Sequence, residues 1–335
     1  MKRIVLQDLS SQLGCSKTLI SMVLNGKGNQ YGISQKTQAT VMEAISRLNY
    51  SPDKFARSLS LSKSNFVGLI ISDMSNPFNA GVANAIQESL FKRNYNLMVF
   101  SSDENEKKEN LLVDSMIKRK SADGLIIAST HKSSEFYDQE KFSDMPVVFI
   151  DRVLPLRKAN YVVIDNYAGS VEIVNCLTKI GCEKIACFVS TPLHISTTED
   201  RLYGYRNAVY KNGLKRREHF IKTIDSNRIE DDVEKSLREL KEAKELVDAF
   251  FLLNSKVCLA LLKVLKKAEF SMFAKAQLAC FEDMEMFNMI DKKIISISQP
   301  IEEIGKNAAE IVLELISGKK YNKSSMVLPT TLIER

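Results

Sequence analysis

The sequence predicts a small all-α N-terminal domain followed by a larger α/β core of two lobes, each a mainly parallel sheet flanked by helices. Apolar residues recur at helical spacing in roughly the first sixty residues, whereas short apolar strands alternate with amphipathic helices from Phe66 onward. The chain has 335 residues, which exceeds the usual size of one compact domain. Nine strands are predicted over residues 66–335, and they are divided more easily between two sheets than held in one.

The N-terminal domain is predicted to contain three short helices. Gly14 ends the first helix, Ser16 is a good N-cap for the second, and the third begins at about Ser34 and ends near Tyr50. Their inward faces are formed by Leu6, Leu9 and Leu13, by Leu19, Ile20, Val23 and Leu24, and by Val41, Ala44, Ile45 and Leu48. Two helices joined by a glycine turn are typical of a helix-turn-helix.

A helix-turn-helix reads DNA by placing its second helix in the major groove, N-terminus first. The polar or exposed positions of that helix and of the loop after it are therefore the candidate DNA contacts: Ser16, Lys17, Thr18, Ser21, Met22, Asn25 and Lys27. The glycine-containing loop Gly26–Gly32 is expected to meet phosphate through Lys27 and backbone amides.

The charge distribution supports this assignment. Residues 1–64 carry nine lysines and arginines against three acidic residues, so the whole net charge of +6 lies in this segment. A basic domain on a neutral body is typical of a nucleic-acid-binding module, although a basic terminus that only improves solubility has the same charge.

The predicted core alternates strands with helices, and ligands of such folds bind beyond the carboxyl ends of the strands. The predicted strands are Val67–Ser72, Leu97–Ser101, Gly124–Ser129, Val147–Asp151, Tyr161–Asp165, Ile185–Val189, Ala249–Asn254, Leu278–Phe281 and Ile294–Ser298. The predicted helices are Asn79–Lys92, Glu104–Lys120, Tyr167–Ile180, Glu199–Asn212, Glu230–Lys244, Lys256–Lys267 and Ile301–Ile316.

Two segments of the N-terminal region carry a resemblance to a known family. L-Q-D-L-S-S-Q-L-G-C-S-K-T-L-I-S-M-V-L-N-G-K-G (Leu6–Gly28) and L-N-Y-S-P-D-K-F-A-R-S-L (Leu48–Leu59) resemble the LacI/GalR family of bacterial regulators. The resemblance implies a hinge helix that enters the minor groove of DNA, with Leu59 as an apolar wedge and Ala56, Arg57 and Ser58 beside it. An ordinary linker helix is the alternative.

The resemblance extends through the core, where Asp73–Phe78, Phe149–Arg152, Arg201–Tyr205 and Glu302–Gly305 match the family in order. It implies a periplasmic-binding-protein-like core with the effector in the cleft between its lobes. By position, the residues that match the family's effector contacts are Asp151, Arg201, Asn254, Glu282 and Gln299. Asp73 is a further candidate, and either Phe78 or Met74 is expected to offer an apolar face to a sugar ring. Such carboxylate, amide and guanidinium groups suit a polyhydroxylated ligand, and an interlobe salt bridge is the alternative for each charged one.

Three positions depart from the family pattern. Met22 stands where many relatives have an arginine, and a thioether cannot make that residue's bidentate contact to guanine, so Lys17 and Thr18 become the leading base readers. Ser255 replaces the usual aspartate, and Glu282 is one methylene longer than the usual residue. Neither the operator sequence nor a particular sugar therefore carries over.

These assignments give predicted boundaries. The helix-turn-helix domain covers 1–50, and the hinge helix and linker cover 51–65. The effector-binding and dimerisation core covers 66–335, with its first lobe at about 66–164 and 299–321 and its second at about 165–298 and 322–335. The chain is expected to cross between lobes near Asp165, Gln299 and Tyr321.

The expected function is an allosteric DNA-binding regulator, a repressor of carbohydrate-related genes, that acts as a homodimer on palindromic double-stranded DNA. Two alternatives stay open: control by a phosphorylated carrier protein in place of a sugar-like effector, and a sugar-binding transport protein. No catalytic residue, cofactor or metal site is expected, because known catalytic and phosphate-binding motifs are absent and the three histidines are scattered. The absence of an apolar leader or membrane span predicts a cytoplasmic, nucleoid-associated bacterial protein.

Overall fold

The computed structural model describes residues 6–48, 50, 63–156, 159–215, 217–318 and 325–335. It consists of two compact units, with the boundary between Ser64 and Asn65. The predicted hinge helix, with its candidate residues Ala56, Arg57, Ser58 and Leu59, lies outside the described residues.

The N-terminal unit contains α1 (Leu6–Leu13), α2 (Lys17–Leu24) and α3 (Gln35–Arg47). Gly14 has a φ of +61°, which most residues adopt only at a cost, and it ends α1 as predicted. The buried centre of the unit comes from all three helices and consists of Leu9, Ile20, Val23, Val41 and Ala44. The helix-turn-helix prediction is confirmed.

The second unit contains two six-stranded sheets. Its strands are β1 (Phe66–Ile71), β2 (Asn96–Ser101), β3 (Gly124–Ile127), β4 (Val147–Ile150), β5 (Asn160–Ile164), β6 (Ile185–Ser190), β7 (Ile221–Ile224), β8 (Ala249–Leu252), β9 (Gln277–Cys280), β10 (Ile294–Ser298), β11 (Ser325–Leu328) and β12 (Thr331–Ile333). The first sheet has the order β11-β5-β4-β3-β1-β2 and is parallel throughout. The second has the order β12-β10-β9-β8-β6-β7, in which only β12 runs antiparallel to its neighbour.

Helices cover these sheets, as expected for parallel strands joined by crossovers. They are α4 (Pro77–Phe91), α5 (Glu106–Arg119), α6 (Asn166–Lys179), α7 (Ser196–Lys211), α8 (Ile229–Glu242), α9 (Ser255–Val264) and α10 (Ile301–Ile316). Short 3-10 helices lie at Glu140–Phe142, Glu218–Phe220, Ala268–Phe273 and Glu285–Met289. In the first lobe, α10 packs on α4 and on β3, β4 and β5; in the second, α6 packs on α7 and on the central strands. The predicted α/β core is therefore confirmed.

The contact between α4 and α10 depends on a glycine. A Cβ at Gly305 would lie 2.5 Å from the Ala85 Cβ and 2.9 Å from the Ile86 amide nitrogen. The two helix backbones can therefore approach this closely only without a side chain at position 305.

The chain passes from the first sheet to the second after β5, returns after β10, and crosses again between β11 and β12. The prediction that the third crossing lies near Tyr321 is wrong. Ser325–Leu328 pairs in parallel with β5 at the outer edge of the first sheet, so the crossing falls at Pro329 and Thr330. β11 has four residues and β12 has three, which are too few for a hydrophobic pattern to reveal either strand.

Candidate functional site

The second helix of the N-terminal unit presents the predicted DNA contacts. The Ser16 hydroxyl caps α2 by accepting a hydrogen bond from the Leu19 amide at 3.2 Å. At the other end, Asn25 Nδ2 donates to the Ser21 carbonyl at 2.8 Å. Six of the seven predicted residues line one shallow concave surface: Lys17, Thr18, Ser21, Met22, Asn25 and Lys27. Ser16 is exposed beside it as the N-cap.

Leu6 and Tyr31 complete this concave surface. Tyr31 lies in the loop between α2 and α3, and its side chain is 55% exposed. Sequence reasoning missed Tyr31 because it treated the loop as a source of backbone amides and of Lys27 alone. An exposed aromatic residue between two glycines was the available signal.

The core has a cavity of about 250 Å³ at the carboxyl ends of strands from both sheets. All seven predicted effector residues line it, although they are spread over more than two hundred positions of the sequence: Asp73, Phe78, Asp151, Arg201, Asn254, Glu282 and Gln299. Five of the seven lie one or two residues after the end of a strand, where parallel α/β folds bind ligands.

Asp151 enters the cavity from a tight turn at the end of β4. The Arg152 amide donates to the Ile150 carbonyl at 2.6 Å, and Asp151 between them has a φ of +63°. Asp and Asn tolerate this left-handed backbone better than most residues. Burial raises the pKa of Asp151, against the attraction of the Arg152 and Arg201 guanidinium groups.

Arg152 is fixed by partners outside the predicted set. Its guanidinium donates to both carboxylate oxygens of Glu104, at 2.8 and 2.5 Å, and to the Ser129 carbonyl at 3.2 Å. Its buried Nε has no hydrogen-bond partner among the described residues and lies 3.5 Å from an Asp151 carboxylate oxygen. The sequence did not identify Arg152 as a cavity residue beyond its place in the motif Phe149–Arg152, because nothing in it showed that Glu104 would reach Arg152.

Arg201 reaches the cavity from α7 and is almost completely buried. Its Nε donates to Asn166 Oδ1 at 2.8 Å, its Nη1 donates to the Leu253 carbonyl at 2.7 Å, and its Cζ lies 3.9 Å from the centre of the Phe281 ring. Burial lowers the pKa of Arg201, although Glu282 and Asp151 oppose the shift. Within the described ranges, no carboxylate forms an ion pair with this guanidinium at 4.0 Å or less.

The two departures from the family pattern in the second lobe contact each other. Glu282 accepts hydrogen bonds from the Ser255 amide, at 3.0 Å, and from the Ser255 hydroxyl. The Glu282 side chain is one methylene longer than the usual aspartate, and its carboxylate reaches the first turn of α9. It thus supplies a negative charge beside Ser255, which is itself neutral. Asn254 caps the same helix through the Val257 amide at 2.9 Å, and its Nδ2 donates to the Ser190 hydroxyl at 2.6 Å.

Asp73 and Gln299 complete the predicted set. Partial burial opposes ionisation of Asp73, but hydrogen bonds from Lys256 and Ser75 hold the pKa of its carboxyl below the ordinary value. Lys256 belongs to α9, so its ion pair with Asp73 joins the two lobes at the cavity. The Oε1 of Gln299 is buried and has no partner in the part of the chain that the structure describes, which leaves an acceptor at the cavity wall.

No three histidine, cysteine, aspartate or glutamate residues are grouped so that they could hold a metal ion in the described ranges. No helix in these ranges is both long and apolar enough to cross a membrane. The polar lining of the cavity is instead suited to hydrogen bonding with an organic ligand.

A helix-turn-helix domain, together with a two-lobed core that encloses a polar cavity, defines the class of DNA-binding transcription regulators that respond to a small ligand. The model of "Periplasmic binding proteins and sugar binding domain of LacI family" matches residues 64–335. The chain belongs to this family.

Similar proteins cover the chain almost from end to end. The HTH-type transcriptional regulator KdgR of Bacillus subtilis is 27% identical over 333 residues, which are 98% of this chain and 96% of that protein. Catabolite control protein A of Priestia megaterium is 27% identical over 97% of this chain and 96% of its own length. The Lac repressor dimer bound to operator and an anti-inducer has the same fold, with a TM-score of 0.83 at 18% identity and coverage of 100% of this chain and 98% of its own.

Proposed function

We propose that this regulator is a homodimeric repressor of carbohydrate-related genes that binds palindromic operator DNA through Lys17, Thr18 and the hinge residue Leu59. A sugar-like effector occupies the cavity between the lobes and changes the orientation of the first lobes in the dimer, and with it the ordering of the hinge helices. The observation that carries this proposal is the convergence of all seven candidate effector residues on one cavity. The protein acts by binding, without catalysing a reaction, in the bacterial cytoplasm at the nucleoid.

The charges at the cavity favour an uncharged effector. Five carboxylates line it, against three cationic side chains: Asp73, Asp103, Glu104, Asp151 and Glu282 compared with Arg152, Arg201 and Lys256. Arg152 and Lys256 already have carboxylate partners. A phosphorylated or acidic sugar would add negative charge to a site that has an excess of it, whereas hydroxyl groups can donate to Asp151 and to the free Gln299 oxygen.

A thermal-shift screen of the full chain tests this proposal with neutral sugars, sugar acids and sugar phosphates. A cavity ligand at about 100 times its Kd adds about 2.7 kcal/mol to the free energy of unfolding. We expect a neutral sugar to raise the melting temperature by several degrees, since 1 kcal/mol corresponds to roughly 2–4 °C for a domain of this size.

The control is the Asp151→Asn variant, which keeps the size of the side chain but loses the charged acceptor. We expect this variant to need at least about ten times more of the same sugar for an equal rise in melting temperature, because a hydrogen bond to a charged group contributes about 1.5–3 kcal/mol. A screen in which only sugar phosphates shift the wild type would contradict the uncharged effector. A screen without any shift would favour control by a phosphorylated carrier protein.

A further inference from the structure

The loop between α2 and α3 places an unused hydroxyl next to the predicted DNA contacts. Tyr31 lines the same concave surface as Lys17, Thr18 and Lys27, and more than half of its side chain is exposed. In the described part of the chain, no hydrogen bond is recorded for its hydroxyl group. A packing role does not explain an aromatic residue so placed, because it lies outside the buried centre of the unit.

Backbone hydrogen bonds stabilise the loop that carries Tyr31. The Tyr31 amide donates to the Lys27 carbonyl at 3.2 Å, and the Ile33 amide donates to the Gly28 carbonyl at 2.9 Å. Gly26 and Gly32 have φ values of +68° and +67°, which permit these turns. The first of these bonds joins residues four apart, so Lys27 and Tyr31 belong to a single turn.

Gln38 on α3 secures the same loop from the side. Its Nε2 donates to the Ile33 carbonyl at 2.7 Å and to Asn29 Oδ1 at 2.8 Å. A Cβ at Gly28 would lie 2.3 Å from the Gln38 Cδ, so the glutamine side chain occupies the space that only glycine leaves. A side chain on a loop that is already ordered in the free protein loses little conformational entropy when it contacts DNA.

The surroundings of Tyr31 favour a polyanion. The sequence contains no acidic residue between Asp8 and Glu43, whereas Lys17, Lys27 and Lys36 fall in that interval. Among the described residues, none of these three lysines is recorded in an ion pair. A recognition helix enters the major groove N-terminus first, so docking of α2 in this way would bring the loop after its C-terminal end toward the phosphates at the rim of the groove.

We propose that the Tyr31 hydroxyl donates a hydrogen bond to a phosphate of the operator backbone, beside the contact of Lys27, and that Gln38 positions it. This inference rests on the proposed DNA-binding function. It adds an anchor that is independent of base sequence, since phosphate contacts fix the position of a protein on the duplex without reading bases.

The test compares Tyr31→Phe with wild type in the full chain, on a random-sequence duplex and on a duplex selected in vitro with the wild-type protein. We expect at least about tenfold weaker binding to both duplexes, the loss typical of one hydrogen bond to a charged group. The slope of log K against log salt should stay unchanged because tyrosine is neutral, whereas Lys27→Ala should reduce it by about 1. Tyr210→Phe, the same change at an exposed position of the core, should bind like wild type.

The role of Gln38 is tested by Gln38→Ala, with Gln12→Ala at an exposed position of α1 as the control. Gln38→Ala should weaken binding to both duplexes, and combining it with Tyr31→Phe should add less than the sum of the single losses. Binding of Tyr31→Phe within twofold of wild type would overturn the proposal, and so would a loss confined to particular sequences. If wild type binds neither duplex, the DNA-binding function itself fails, which is a different result from an unaffected variant.

Discussion

Asp151, a proposed effector contact, lies in an environment that disfavours its charged form. Its backbone is left-handed, and its carboxyl is buried beside two guanidinium groups that do not fully compensate for lost hydration. Strained and poorly hydrated groups of this kind cluster at functional sites, where a ligand supplies the missing interactions. Hydroxyl groups that donate to Asp151 would favour its ionised form.

Asp151→Asn is therefore expected to raise the free energy of unfolding near neutral pH while it weakens effector binding. Because the folded state raises the pKa of Asp151, ionisation at neutral pH costs more in the folded than in the unfolded protein, and asparagine removes that cost. The advantage should narrow as the pH falls through the raised pKa, where wild-type Asp151 becomes neutral. Urea unfolding of both proteins across this pH range measures the difference.

The matched control is Asp291→Asn, which makes the same change at an exposed position. We expect no gain in stability from it at any pH. A lower stability of Asp151→Asn at neutral pH would show that the carboxylate is held by its arginine neighbours more strongly than burial disfavours it.

At the scale of elements, the hinge segment connects the two units and is predicted to act as a minor-groove wedge. Leu59→Ala should lower affinity for a selected palindromic duplex at least about tenfold, because the wedge offsets an unstacking cost of a few kcal/mol per step. The melting temperature of the core should not change. Fluorescence anisotropy on the duplex and thermal unfolding of the same sample measure the two effects.

Leu61→Ala is the control for this prediction, since it removes the same side chain two positions further along. We expect it to retain most of the affinity. Operator binding by Leu59→Ala at the wild-type level would eliminate the wedge assignment and leave an ordinary linker.

The elements differ in how well the sequence predicts them. Buried strands such as β1 and β8 are continuous apolar runs and were predicted, whereas β7 has lysine and threonine at its centre and lies at the edge of its sheet. The short strands β11 and β12 are also outermost in their sheets. An outer strand needs fewer apolar residues, so neighbouring strands define it more than its own sequence does.

The candidate site was likewise predictable only in part. Asp151 and Asn254 end predicted strands, where parallel sheets bind ligands, and the family resemblance assigned both residues to the effector. Glu104 and Tyr31 could not be assigned in this way, because their positions depend on loop conformations. Glu104 follows Asp103, and both have a positive φ, which no sequence pattern indicated.

At the scale of the whole molecule, polar contacts join the lobes around the cavity. Lys256 of α9 pairs with Asp73, the Val153 amide donates to the Ser196 hydroxyl at 2.9 Å, and His194 Nε2 lies 3.2 Å from the Thr130 carbonyl. Each contact favours the lobe arrangement seen here. A ligand that binds this arrangement gains affinity from whatever raises its population.

Lys256→Met is expected to weaken binding of the sugar identified in the thermal screen by up to about fivefold, mainly through faster dissociation. A partly exposed ion pair contributes at most about 1 kcal/mol. Calorimetry and stopped-flow dissociation measure the affinity and the rate.

Lys263→Met on the same helix is the control. Lys263 pairs with Glu230 at 2.6 Å within one lobe, so its loss removes an ion pair without separating the lobes. Equal effects of the two variants would mean that the Lys256 pair does not contribute to lobe closure.

The last crossing of the chain has a consequence for how the protein is made. Ser325–Leu328 and Thr331–Ile333 are synthesised after every other described strand, yet each completes the outer edge of a different sheet. The N-terminal unit can fold as soon as it leaves the ribosome, since chains fold domain by domain during translation. The core, by contrast, cannot complete either sheet until its final segment has been synthesised. A frameshift late in the gene would therefore damage both lobes of the core and leave only the N-terminal DNA-binding unit intact.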